Sequence, residues 1–394
     1  MIELSKKNPI DKFLKNEGKN VKTLLLGNGF CLDHPVLGKR FKFTSEDIFS
    51  LIGKIGLYLG KNEVERLRRI TCPEKFLNIF RWAISKEVIL HYAEAVMKGI
   101  EEFDKKNAKE ENSWKKYGNI HKNFDASQTL SKFDKIFTVN YDPLMYFSLI
   151  DLIRLQEDNK KQFKRLVVDG FRGHIKITKS EQIKRMEKYE GIKVYYLHGA
   201  NFIMYDNSCK TLYKLNPDEI IPEKILYEKD SESNDLPDII FESRWYIKKA
   251  HFEGCEYLNY CTKQLIQSEG DLLIFGMSLE NDAHIIDILL KYAEHHRTNK
   301  RKIFITYMED KDKDDMRSNS HTPRKKIRSI AERDLAEYYE NIEVERRISL
   351  ENRLNLLENM IEELQISRKS DKEDVTGIFW KKNGIIKKLK SKLK

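Results

Sequence analysis

Four short apolar runs, each cut off by glycine or a small polar group, constrain the fold of this chain more than any other feature. They are Thr23–Leu26 before Gly27-Asn28-Gly29-Phe30, Ile136–Val139 before Asn140-Tyr141-Asp142, Val194–Leu197 before His198-Gly199, and Leu272–Phe275 before Gly276-Met277-Ser278. Apolar runs this short suit strands covered on both faces, as in a parallel sheet. The segments between them read largely as helices, so an α/β protein with an open, mostly parallel sheet is expected. Ligands of such sheets bind outside the carboxyl ends of the strands. The four strand ends are therefore four candidate walls of one site.

The rest of the chain is arranged around these strands. Residues 1–20 read as a polar lead-in and residues 21–325 as the α/β domain. Helical spacing over about 44–105, opened by Thr44-Ser45-Glu46-Asp47, predicts a helical insertion after the first strand. Residues 326–394 read as a helical extension with a basic tail. Within it Leu350, Leu354, Leu357, Ile361 and Leu364 step by four and three, the spacing of a short coiled-coil seam or a helical hairpin.

Charge adds a partner class rather than a fold. Of the net charge of +10, seven positive charges sit in Lys381–Lys394, so the body is nearly balanced. The tail alone is expected to touch an anionic surface, nucleic acid or an acidic partner. The five cysteines are odd in number and lack CxxC spacing, which excludes a disulfide framework or a zinc ribbon as the organising device. No run reaches the length of a membrane span and the first residues contain no signal h-region, so a cytoplasmic protein is expected. The aspartates of Met308–Ser318 lack the glycine and distal glutamate of a calcium loop and read as a solvated segment.

Each strand end carries chemistry, and each has a plain structural alternative. Glycines at 27 and 29 let the backbone approach a phosphate, or simply make a tight turn. Asn140 has the amide to bind a ribose hydroxyl or orient a water, and Asp142 to fix that amide or a sugar hydroxyl. Followed by Pro143, the same residues are good turn formers. His198 titrates near neutrality and suits a general base, or caps a loop. Ser278 donates to a phosphate or caps the next helix. Asp282 and His284 read as residues of that helix's first turn, with the aspartate complementing its dipole.

Taken together and in order, LLLGNGF, FTVNYD, YYLHGA and FGMSL resemble the sirtuin-like superfamily. They are most similar to its bacterial, defence-associated branch, which includes AbiH-like proteins. That resemblance implies a Rossmann-like fold and NAD as substrate or bound ligand. It implies Gly27, Asn28, Gly29 and Phe30 beside the dinucleotide, with Gly276 and Ser278 on the phosphate side. Asn140 would hold the nicotinamide ribose or attacking water, His198 would act as base, and Asp142 matches the family's aspartate. The sequence has GNG where deacetylating sirtuins have G-A-G, and lacks their arginine-bearing loop near Cys31–Lys42. It also lacks their four-cysteine zinc module, which argues against protein deacetylation.

What the resemblance implies is nicotinamide release from NAD, with phage defence as the setting and a defence-system partner or a homo-oligomer as the assembly. No metal is expected. Two other classes of function stay open on the sequence. One is a catalytically silent nucleotide sensor, and the other an interaction protein working through its C-terminal helices.

Overall fold

The computed structural model of the chain describes residues 2–4, 9–32, 124–140, 144–146, 148–149, 167–171, 179–206, 211–215, 236–240, 245–277, 279, 282–308, 322–340, 349–366 and 381–382. Its strands in chain order are β1 (Ile2–Leu4), β2 (Val21–Leu26), β3 (Phe124–Asp125), β4 (Lys135–Thr138), β5 (Val167–Val168), β6 (Ile192–Tyr196) and β7 (Gly199–Asp206). They continue with β8 (Thr211–Lys214), β9 (Leu236–Ile239), β10 (Asp271–Phe275), β11 (Ile303–Met308), β12 (Ile361–Ile366) and β13 (Lys381–Lys382).

Eight of them form one sheet in the order β1-β12-β11-β10-β2-β4-β6-β5. Every neighbouring pair in it is parallel. The apolar runs explain the centre of this sheet. Leu24, Leu25, Ile136, Phe137, Val194, Leu273 and Ile274 are buried, because helices cover both faces of a parallel sheet. The fold is therefore the α/β, Rossmann-like architecture that the apolar runs and the resemblance led us to expect.

The order also fixes where a ligand belongs. From β2 the chain adds β4, then the edge strand β5, then β6 between those two, and returns to lay β10 against the other side of β2. The β2–β10 crevice is thus the topological switch point, the usual ligand position in such sheets. A three-stranded antiparallel sheet, β8-β7-β9, follows β6 directly. It is tied to the main sheet where Ile240 N–H donates to the His198 carbonyl at 2.8 Å.

One helix dominates the layer behind the site. Ala283–His295 has ten of its residues buried, too many for a one-sided stripe, and it is a core helix. The helices Trp245–Gly254, Glu256–Ile266, Pro323–Asp334 and Leu350–Met360 all pack on it.

Two expectations are corrected at the ends of the chain. The seam through Leu350, Leu354, Leu357, Ile361 and Leu364 is not one helix. The helix opens at Ser349, whose hydroxyl accepts from Asn352 N–H at 3.2 Å, and stops at Met360. Ile361–Ile366 is then strand β12, seated between β11 and β1. Residues 1–20 are likewise not a polar lead-in, since they hold β1 and the helix Pro9–Asn16, whose Ile10 and Phe13 are buried. A buried parallel strand needs no two-residue alternation, so β12 blends into the helical pattern before it, while the three residues of β1 are too few to show any period. The helical insertion expected at 44–105 and the tail beyond Lys382 lie outside the described residues.

Candidate functional site

The first wall of the site is a double turn made by two glycine loops. After β2, Gly27 N–H donates to the Phe275 carbonyl at 2.9 Å and Gly29 N–H to the Gly276 carbonyl at 2.6 Å. Phe30 N–H turns back to the Gly27 carbonyl at 3.0 Å, opening the short helix Gly29–Leu32. Gly276 takes φ +68°, and a Cβ there would overlap Gly29. A Cβ on Gly27 would in turn run into Gly276 and Met277, and one on Gly29 into Gly276. These glycines are needed so that two backbones touch; the Gly27 and Gly29 N–H groups are engaged in that contact, and Gly276 N–H donates to Thr306 Oγ1 at 3.1 Å. Asn28 is left at the exposed tip of the turn, while Phe30 is buried beneath it.

Asn140 locks this turn from the neighbouring strand. Its Nδ2 donates to the Gly27 carbonyl at 2.9 Å, and its backbone N–H donates to Thr138 Oγ1 at 3.0 Å. The residue is 3% exposed. The sequence singles out Asn140 for a ligand or a water. Its amide donor is instead directed at the glycine turn, so its first role is to hold the floor of the crevice. Asp142 and Ser278 lie outside the described residues.

His198 sits in the tight turn between β6 and β7, 5% exposed. Its Nε2 is 2.8 Å from Nε2 of His284, and the rings stack with centroids 5.0 Å apart. Phe252 presents its ring to both, at 5.9 Å and 5.4 Å. His284 is on the helix that follows β10, a strand separated from β6 by β2 and β4. The segment leaving β10 therefore carries His284 back over the carboxyl edge to meet His198. Beside them Asp282 Oδ1 lies 3.9 Å from His284 Nε2 and accepts from Lys248 Nζ at 3.2 Å. Lys248 is 1% exposed.

Electrostatics keep this pair from carrying two protons. Burial first, then His198 and the Lys248 ammonium, hold the His284 pKa well below the usual imidazole range. His284 is accordingly neutral at physiological pH. One ring donates and the other accepts in the Nε2···Nε2 contact. Two facing imidazolium rings at that distance would repel strongly in a buried setting.

A second buried polar group stands at the end of β5. Asp169 pairs with Lys214 from β8, and the Lys214 ammonium lies 4.3 Å from the Tyr146 ring centroid. Burial pushes the Lys214 pKa down, but Asp169 and Tyr146 outweigh it and the net shift is upward. A lysine kept charged by a dedicated carboxylate ties β8 to the sheet and is a poor nucleophile.

A cavity of about 580 Å³ opens at the opposite edge, beside Val21 and the lysines Lys12, Lys15, Lys19 and Lys132. It carries no acid–base pair beyond an exposed Lys132–Asp11 bridge, so we place the site at the carboxyl edge. Residue-by-residue reading did not single out His284, Lys248 or Phe252 as functional. A buried histidine two residues past Asp282, just after the glycine end of β10, was the available signal. It read instead as an ordinary first helical turn.

No helix among the described residues is long and apolar enough to cross a membrane. No curated protein matches the chain. Residues 101–311 match the family model described as "Domain of unknown function (DUF4917)". That stretch contains Asn140, His198, Lys248, Gly276, Asp282 and His284, leaving only the Gly27–Phe30 turn outside it. It covers more than half of the residues, and the chain belongs to this family of unknown function.

Proposed function

We propose that the protein binds NAD across the β2–β10 crevice and hydrolyses its nicotinamide–ribose bond, with His198 as the base. The observation that carries this reading is the sheet order. The strands bearing the glycine turns, Asn140 and His198 are the four consecutive, parallel strands β10-β2-β4-β6. Their chemistry-bearing ends therefore share one edge at the switch point. The motif resemblance supports the same ligand.

In the reaction, water attacks the ribose C1′ as the C1′–N bond breaks, and the bond's electron pair neutralises the departing nicotinamide ring. His198 takes the water's proton while His284 stays neutral beside it. Asn140 acts as a positioning residue, holding the glycine turn on which the ribose and phosphates rest. Positioning and stabilisation of the developing cation supply most of the acceleration. Depletion of cellular NAD fits the defence setting of the similar proteins.

Incubating the purified chain with NAD and following nicotinamide by chromatography tests the proposal. Release is expected, and His198→Ala should lower it by about 10²–10⁴-fold while the fold persists. A folded His198→Ala variant that works normally would overturn the role of His198. A second reading is favoured by one observation: Asn140 and His198 are 3% and 5% exposed, and the glycine N–H groups are already bonded. On that reading the edge is a nucleotide sensor that binds without turnover. Saturable NAD binding with no nicotinamide release would select it.

A further inference from the structure

Three side chains of the site form a constellation that the hydrolysis reading does not require. His198 Nε2 and His284 Nε2 are 2.8 Å apart, and Asp282 Oδ1 is 3.9 Å from the latter. All three ligand-type atoms fall within 4.8 Å of one another. We propose that His198, His284 and Asp282 form a binding site for a divalent transition-metal ion of the Zn²⁺ type.

The donor set selects the ion. Two imidazoles and one carboxylate suit Zn²⁺ and its neighbours, whereas Ca²⁺ and Mg²⁺ demand shells of oxygen. The site is built in advance, because both histidines are at least nine-tenths buried and Phe252 packs against both rings. Zn–N bonds of about 2.0–2.1 Å place tetrahedral nitrogens about 3.3 Å apart, so the rings need only a small opening.

Two forces oppose the ion. Lys248 already occupies Asp282 Oδ1, and Asp282 precedes a helix whose N-terminal dipole disfavours cations. Lys248 is thus a built-in competitor for the carboxylate. Three protein ligands leave a fourth position open. Occupancy takes the His198 Nε2 lone pair, and on the hydrolysis reading, on which only this consequence rests, it silences the base.

The test uses the full chain, stripped with chelator and titrated with Co²⁺ while its visible absorption is followed. Zn²⁺ then competes, and Mg²⁺ and Ca²⁺ serve as controls. We expect one equivalent of Co²⁺, displaced by Zn²⁺ and untouched by Mg²⁺ or Ca²⁺. His198→Ala and His284→Gln should each weaken binding by about 100-fold or more, beyond the effect of changing an outer partner. Gln at 284 retains an amide to meet His198, and circular dichroism checks each fold. Lys248→Met should tighten binding by removing the competing ammonium. Less than one equivalent, or equal affinity in folded His198→Ala and His284→Gln, would overturn the site. An affinity unmoved by Lys248→Met would remove Asp282 and overturn the three-ligand set. The titration contains no NAD and so reads the metal site alone; a metal-free chain that releases no nicotinamide in the separate NAD assay would sink the hydrolysis reading and leave this site standing.

Discussion

Gly276 and Asn140 show how single residues set the shape of the crevice. At φ +68° a side chain on residue 276 is strained, and it also meets Gly29. Gly276→Ala is expected to cost more than the roughly 1–2 kcal/mol of the left-handed conformation alone, read as a lower urea midpoint. Asn140 is the test of position against contact. Asn140→Asp keeps the shape but replaces the amide donor facing the Gly27 carbonyl with a second acceptor. A loss of about 1–3 kcal/mol is expected, together with weaker NAD binding. Unchanged stability would mean that the amide serves the ligand and not the turn.

The helix Ala283–His295 is fixed to its neighbours by charge as well as by apolar packing. Asp287 accepts from Tyr339 Oη at 2.6 Å, from Lys291 at 2.9 Å and from Lys249 at 3.3 Å. Lys249 in turn lies 3.5 Å from the Tyr338 ring centroid. Burial pushes the Asp287 carboxyl upward, but Lys291, Lys249 and the tyrosine hydrogen bond outweigh it and the pKa is lowered. A lowered folded-state pKa gives stability that is present above the unfolded value, near 3.9 for aspartate. It is lost as pH falls through the folded value. Asp287→Asn should therefore cost about 3–5 kcal/mol at neutral pH, as when one partner of a buried pair is removed. It should also flatten the acid limb of stability below about pH 4. Urea melts of both proteins across that range measure the difference.

Legibility followed the same boundary between local pattern and tertiary contact. The central strands were readable because an apolar run and its glycine stop lie within a few residues of one another. β12 was hidden because Ile361 and Leu364 continued the spacing of the helix before them. The His198–His284 contact spans 86 residues, and no window of sequence encodes it. Asn140 was legible as an important residue and not as a brace, because its acceptor is a backbone carbonyl on another strand.

Across the whole molecule, the sheet makes the C-terminal region part of the core instead of an appendage. Leu364 is fully buried in β12, and Leu364→Ala should cost about 2–5 kcal/mol. Removing residues 349–394 should leave β11 as an open, apolar edge and yield aggregating protein, as size-exclusion chromatography would show. A monodisperse, folded truncation would show that the core does not need β12. The pairing of Ile2 with Leu364 also sets a timetable for synthesis. β1 leaves the ribosome well before β12, its one neighbour among the described strands. Contacts so distant in sequence slow folding. Until β12 emerges, the nascent protein thus holds the β11 side of its sheet unsealed.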